Sequence, residues 1–456
     1  MPKTHFIHMK TDNLSKLKAS TDQRVKVAIV DIDGVLRGKI MRRNKAIDAI
    51  EDGSGFCDVV FGWDVADVSY TSEEKDLTGW HTGFPDAHYY PDINTLRNIP
   101  WEEDIPFMLG DFSQIDHPAC SRSLLKKIIQ KAEELGFETR FAQEFEWFNF
   151  DESPETLAEK GGINPKPLTP GMFGYSVLRA SQQSPYFNDL FTLMDAYGIP
   201  LEGIHTETGP GVYEAAMHYS DILEAADRAV LFKAGVKEIA ARHGVMASFM
   251  AKWNHELPGC SGHIHQSLWK DGKNTFHDHN SENGLSPIAE SFMAGQLLAL
   301  PQLLPMYAPT INSYKRLVEG AWAPTTLTWG MDNRTTALRI INPSEKATRV
   351  ELRVPGSDVN PYLAMAAALA SGLYGIEQQL NLTIPPTKGN GYQNTAHGTL
   401  PPDLKTATSA MKSSKLAREL FGDAFVDHFC KTREWEWQQF AASVTDWELK
   451  RYFEII

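Results

Sequence analysis

Residues 138–150 read ETRFAQEFEWFNF, a run with the period of two that belongs to a β-strand. Glu144 and Glu146, two apart, project from the same face, with Phe141, Phe145, Trp147 and Phe148 around them. Two carboxylates set side by side in apolar company repel each other unless a cation lies between them. A solvated strand face is the plainer reading, but the aromatic neighbours favour a metal. This chain must therefore build a sheet, and one face of that sheet has to serve as a site.

At 456 residues the chain exceeds one ordinary core, and the period of its apolar residues changes along its length. From Val25, VKVAIVDIDGVLRGKIM gives two apolar runs about Asp33–Gly34, the signature of a hairpin. Pro-punctuated short segments follow, so residues 20–113 read as a small domain built on a sheet. At SRSLLKKIIQKAEELGF the period becomes helical, with Leu124, Leu125, Ile128, Ile129 and Leu135 on one face and Gly136 as the stop. A second, larger domain over 114–456 begins there. It holds a long helix in SDILEAADRAVLFKAGVKEIAARHG, closed by Gly244, and otherwise mixes strands, loops and helices. The class expected is α+β, without internal repeats.

A formal net charge of −14 argues against nucleic acid or an anionic membrane as partner, so arginines that do cluster carry more meaning. The leading MPKTHFIHMKTDNLSK has no apolar core of signal-peptide length and no run is long enough to span a bilayer, which makes a cytoplasmic location the expectation. Cys57, Cys120, Cys260 and Cys430 are scattered and fit reduced thiols. Walker, nucleophile-elbow and kinase catalytic-loop motifs are missing.

Other segments add to the strand pair. HTETGPGVYEAAM supplies Glu207 and Glu214 about a glycine loop, and PGCSGHIHQSLW supplies His263 and His265, two apart. ATRVELRVPGSDVNPYL sets Arg349, Glu351 and Arg353 on one strand face. RLVEGAWAPTTLTWGMDNRTTALRI contributes Arg316, Arg334 and Arg339 around an unexpected Trp322. Five glutamates and a histidine can bind two hard divalent cations, leaving arginines for phosphates and a carboxylate. That composition describes a nucleotide-phosphate site without a P-loop.

In order along the chain, EFEWF, GHIHQSL, NSYKR, DNRT and RVELRVPGSDVNPYLAMAAAL resemble the glutamine synthetase family. The resemblance covers nearly the whole sequence. It implies an N-terminal β-grasp domain, a large catalytic domain with a funnel-shaped site, ATP, and Mg²⁺ or Mn²⁺. Carried over by motif, Glu146, Glu207 and Glu214 would ligate one ion and Glu144, His263 and Glu351 the second. His265, Ser267, Lys346 and Arg334 match nucleotide-side contacts, and Arg334 with Arg339 the pair on the transferring phosphoryl group. Arg316, Arg353 and Gly259 match the holders of substrate glutamate. Asp64, lent by a neighbouring subunit, together with Glu207 and Tyr175, matches the amine pocket. The partners implied are glutamate, a small amine and further copies of the chain, in a double ring such as a dodecamer of two stacked hexamers.

The flap departs from the family. Where glutamine synthetases read PGYEAP this chain reads EGAWAP, so Trp322 stands in place of a proton-accepting glutamate. The ring is either a buried loop anchor or an apolar wall for the carbon part of an amine. The second reading predicts a γ-glutamyl-amide ligase using a primary organic amine, with ammonia-using glutamine synthetase as the alternative and a noncatalytic homologue as the third.

Overall fold

The Asp33–Gly34 turn joins two antiparallel strands, β1 (Arg24–Val30) and β2 (Leu36–Arg42), with Gly34 at φ 82°, a value a glycine adopts without strain. The computed structural model describes residues 12–112 and 117–456. β3 (Ser54–Cys57), β4 (Asp86–Pro91), β5 (Arg97–Ile99) and β6 (Ile105–Phe112) complete a sheet of order β2-β1-β6-β4-β3, with β5 beside β6. Helix α1 (Arg43–Asp52) buries Ala46 and Ala49.

Strand β1 is covered on both sides. Val25, Val27 and Ile29 pack into a small core with Phe61, Tyr89 and Phe112. Ala28 and Val30 turn the other way and join Ile105, Phe107 and Leu109 in the main core of the molecule. The expected boundary at 113/114 falls among residues 113–116, outside the described residues, as does most of the N-terminal stretch from which no leader was expected.

Helix α2 (Ser121–Glu134) follows the predicted face, burying Leu124, Leu125 and Ile128, with Gly136 at φ 79° just past its end. The sequence pattern did not foretell Arg122, which is also buried. Its guanidinium donates to Asp227 at 2.8 Å, to Asp111 at 2.6 Å and to Asp92 at 3.0 Å. A buried cation is tolerable only when paired in this way, and the pairing ties the first sheet to the helices behind the second.

The second sheet runs β13-β14-β15-β11-β7-β9-β8. Its members are β7 (Glu138–Phe150), β8 (Leu201–Thr206), β9 (Val212–Met217), β11 (Gly262–Lys270), β13 (Trp329–Met331), β14 (Leu338–Ile341) and β15 (Arg349–Leu352). β10 (Met246–Ser248) and β12 (Lys273–Asn274) pair beside β7 and β11. Phe141, Phe145 and Trp147 turn into the main core, which α3 (Ile222–Arg242), α4 (Pro287–Tyr307) and α5 (Pro361–Glu377) fill from behind. α4 and α5 meet backbone to backbone: a Cβ on Gly295 would lie 2.1 Å from the Ser371 carbonyl oxygen. α6 (Asp423–Ala442) lies near the C-terminus. The class is α+β, as expected. All four cysteines are free thiols, and no helix among the described residues is long and apolar enough to cross a membrane.

Candidate active site

Strand register assembles the charged face. Glu144 on β7 stands opposite His263 on β11, Glu146 opposite Glu214 on β9, and Glu214 in turn opposite His205 on β8. On the other side His265 pairs with Glu351 on β15, and Glu351 with Arg339 on β14. Residues of one parity on six antiparallel strands therefore share one surface. The paired glutamates of the opening strand are its centre.

This surface floors a cavity of about 580 Å³ whose lining includes Glu144, Glu146, Glu207, Glu214, His263, Tyr175, Gly259, Trp322, Arg334, Arg339 and Arg353. Glu207 sits just beyond β8, in the loop rather than on a strand. Gly259 is held close: a Cβ there would lie 2.5 Å from the Ala251 carbonyl oxygen. A second cavity of about 410 Å³ shares Glu144 with the first and is lined by His265, Ser267, Lys346 and Arg349. The residues matched to nucleotide contacts thus gather in the second cavity, except Arg334, which is exposed into the first.

Two expected residues are not brought to the cavity of their own chain. Arg316 is 2% exposed and its guanidinium donates to the Val354 and Arg353 carbonyls at 2.9 and 3.2 Å, so it supports the backbone that carries Arg353. Asp64 lies on the N-terminal side of the molecule, where one oxygen accepts from the Ala66 and Val68 amides and the other from the Trp435 indole at 2.9 Å.

The two histidines sort by chemistry. His263 Nδ1 lies 3.1 Å from Glu144 Oε1 and 3.4 Å from Glu351 Oε1, and burial pushes its pKa down to about 4, so its ring is neutral. Its Nε2 is buried with no hydrogen-bond partner in the protein. His265 Nδ1 accepts from Arg349 Nε at 3.2 Å, since arginine can only donate. Glu144, His265 and Glu351 do have ligand atoms within 4.8 Å of one another. His263 Nδ1 lies against the same two carboxylates.

Electrostatics fits cations here. Burial works against charge on Glu144, but the adjoining His263 and His265 hold its carboxyl well below the usual range. Burial pushes Glu146 up, helped by Glu207 and opposed by Arg316. It pushes Glu214 up as well, opposed by the His205 ring at 3.1 Å and reinforced by Glu144 and Glu146. Glu146 and Glu214, crowded until they resist ionisation, are donors a divalent cation would relieve, while Glu144 is kept in its charged form by its neighbours. Glu146, Glu207 and Glu214 can hold one such ion and Glu144, Glu351 and His263 another.

The family of the glutamine synthetase catalytic domain matches this chain over residues 118–452. The chain belongs to the glutamine synthetase family. It is 53% identical to the type-1 glutamine synthetase 2 of Dictyostelium discoideum, over 97% of this chain and 86% of that one. With the glutamate–isopropylamine ligase of a Pseudomonas species it shares 38% identity over 95% of each. A solved structure titled as a GmaS/ADP complex superposes with a TM-score of 0.83 at 29% identity, covering 97% of this chain and 99% of that chain. As a glutamine synthetase-type protein, the chain is an ATP-dependent carbon–nitrogen ligase of a family that uses divalent metals.

Three neighbours of the site escaped the sequence reading, as did the pairing of Arg349 with His265. His205 against Glu214, Ser261, whose amide donates to Glu146 Oε2 at 3.0 Å, and Asp332 against Arg339 were all in motifs already quoted. Their partners come from other strands or across a turn, so spacing along one segment could not reveal them.

Proposed function

We propose that the chain joins a primary organic amine to the γ-carboxylate of L-glutamate at the expense of ATP. The observation that carries the choice of amine is Trp322. The residue is 57% exposed and lines the charged cavity with Tyr175 and Glu207, at a left-handed φ of 57° that costs a non-glycine residue on the order of 1–2 kcal/mol. An exposed ring held at that cost is poorly suited to anchoring a loop and well suited to facing a ligand. No carboxylate from residues 319–324 lines the cavity.

In this reading a γ-carboxylate oxygen of glutamate attacks the γ-phosphorus of ATP, the bond to ADP breaks and ADP leaves. The amine, having given up a proton, attacks the acyl carbon of γ-glutamyl phosphate. The carbon–oxygen bond to phosphate then breaks, inorganic phosphate leaves, and the nitrogen loses its second proton as the amide forms. Arg334 and Arg339 neutralise the moving phosphoryl group, and Arg353 and the Gly259 backbone hold glutamate. Glu207, with Asp64 supplied by residues 20–113 of a neighbouring copy, binds the ammonium form and accepts its proton. Bound Mg²⁺ or Mn²⁺ ions would neutralise phosphate charge, held by the two ligand sets above.

A second reading, ammonia as the amine, is the one the relatives' names favour, since the 53% relative is called a glutamine synthetase while the amine ligase stands at 38%. A noncatalytic role gains no support from a cavity that keeps so many crowded carboxylates. Phosphate release measured with ATP, glutamate and a panel of ammonium, methyl-, ethyl-, isopropyl- and hydroxyethylamine and diamines tests all three. The proposal expects at least one organic amine to exceed ammonium in kcat/KM. Ammonium as the best substrate would overturn it in favour of glutamine synthetase, and no amine-dependent release would overturn both.

A further inference from the structure

The turn between β13 and β14 holds two of the cavity's arginines at once, Arg339 and Arg353, though its Asp332 does not line the cavity. Asp332 Oδ1 accepts from Arg339 Nε at 3.0 Å and from Nη2 at 2.5 Å, while Nη1 of the same guanidinium reaches Glu351 Oε2 at 2.7 Å. The carbonyl of Arg334 accepts from Arg353 Nε at 3.1 Å, and Arg353 also reaches Glu351. The turn itself is pinned. Asn333 Nδ2 donates to the Thr387 and Gly389 carbonyls at 3.1 and 2.9 Å, and its Oδ1 accepts from Thr335 through both amide and hydroxyl.

Arg339 thus has an outer edge bound to Asp332 and an inner nitrogen turned toward the cavity floor. A guanidinium gripped on its Nε edge keeps its plane fixed when its inner partners change. Asp332 itself is exposed, with 74% of its side chain accessible, so a pair there adds little to stability. What it supplies is direction.

We infer that Asp332 is a positioning residue for phosphoryl transfer, acting through Arg339; this rests on the reading of Arg339 as a partner of the transferring phosphoryl group. Positioning of a group by a few tenths of an ångström changes transition-state stabilisation more than ground-state binding, so the effect falls on kcat. Asp332 has φ 48°, a conformation asparagine adopts as readily as aspartate, so D332N removes the charge and leaves the turn intact.

The test uses the full-length protein, D332N, D332E, R339Q and D332N/R339Q. Turnover with the best amine is read as kcat and as KM for glutamate and amine, alongside the affinity for ADP with and without fluoroaluminate, a mimic of the phosphoryl group in flight. D332N is expected to lower kcat about tenfold with both KM values within about twofold, with D332E recovering part of the loss. The double variant is expected to match R339Q. D332N should weaken ADP–fluoroaluminate binding and leave ADP alone unchanged. Wild-type kcat in D332N, or an equal further loss on the R339Q background, would overturn the inference. If the wild-type protein turns over no amine, the proposed function fails, and fluoroaluminate affinity alone decides for Asp332: an unchanged value overturns its role and a weakened one upholds it.

Discussion

Replacing Trp322 with alanine should narrow the preference for an organic amine over ammonium without stopping phosphoryl transfer. Trp322 is 57% exposed and lines the cavity, and an aromatic side chain of this size offers on the order of 100 Å² in that state. An alkyl group the size of isopropyl covering part of it would remove about 80 Å² of apolar surface from water, counting both partners. At roughly 25 cal/mol per Å² that is about 2 kcal/mol, or roughly thirtyfold in kcat/KM between alkylammonium and ammonium. Cation–π attraction acts on both ions and cancels to first order. In Trp322→Ala the ratio should collapse to within a few-fold, while phosphorylation of glutamate by ATP continues. In Trp322→Glu it should move further toward ammonium, since a proton acceptor returns to the flap. Coupled phosphate-release kinetics over the amine panel, with product mass confirmed, measures each ratio. An unchanged ratio in Trp322→Ala would refute the apolar-wall argument even if the wild-type enzyme proved selective.

Glu351→Ala or Glu146→Ala should abolish amine-dependent ATP hydrolysis and weaken Mn²⁺ binding by calorimetry, with the circular dichroism spectrum retained; wild-type turnover in either would remove the ligand assignment. If Asp64 serves a neighbour's site, mixing Asp64→Ala with Glu351→Ala subunits should restore activity that neither has alone, and a fully active monomer by light scattering would rule this out. Burial pushes His117 and His428 down to about 4 from 6.5, so the unfolded chain takes up protons first as the pH falls. Their contribution to stability is full above pH 6.5 and is lost between 6.5 and 4, at up to about 3 kcal/mol each, so urea midpoints should fall through that window and His428→Phe should flatten the slope.

Much of the site was legible because β-strands repeat every two residues. Glu144 with Glu146, His263 with His265, and Glu351 with Arg353 each announce a shared face from one segment alone, and the helix over 121–134 announces itself by its apolar stripe. Cross-strand register carries no such local mark. That His263 faces Glu144 while His265 faces Glu351 depends on how β11 slides against two neighbours. Arg122 was illegible for a related reason: an arginine on an amphipathic helix reads as solvated until Asp92, Asp111 and Asp227 arrive from three other segments. Arg316 shows the converse, since its motif gives it a ligand role while its guanidinium binds backbone carbonyls.

Because β1 feeds two cores at once, residues 24–112 cannot be trimmed away to leave a working remainder. Removing them would strip Ala28, Val30, Ile105, Phe107 and Leu109 from the main core and leave Arg122 with one of its three carboxylate partners. A shortened chain starting at α2 would carry an open apolar face beside a buried guanidinium left short of counter-charge, the two ingredients of an insoluble product. Attempts to graft a different amine pocket onto this scaffold therefore belong in the loops around the cavity, where Trp322 and Tyr175 already sit, and not in an exchange of the amino-terminal sheet.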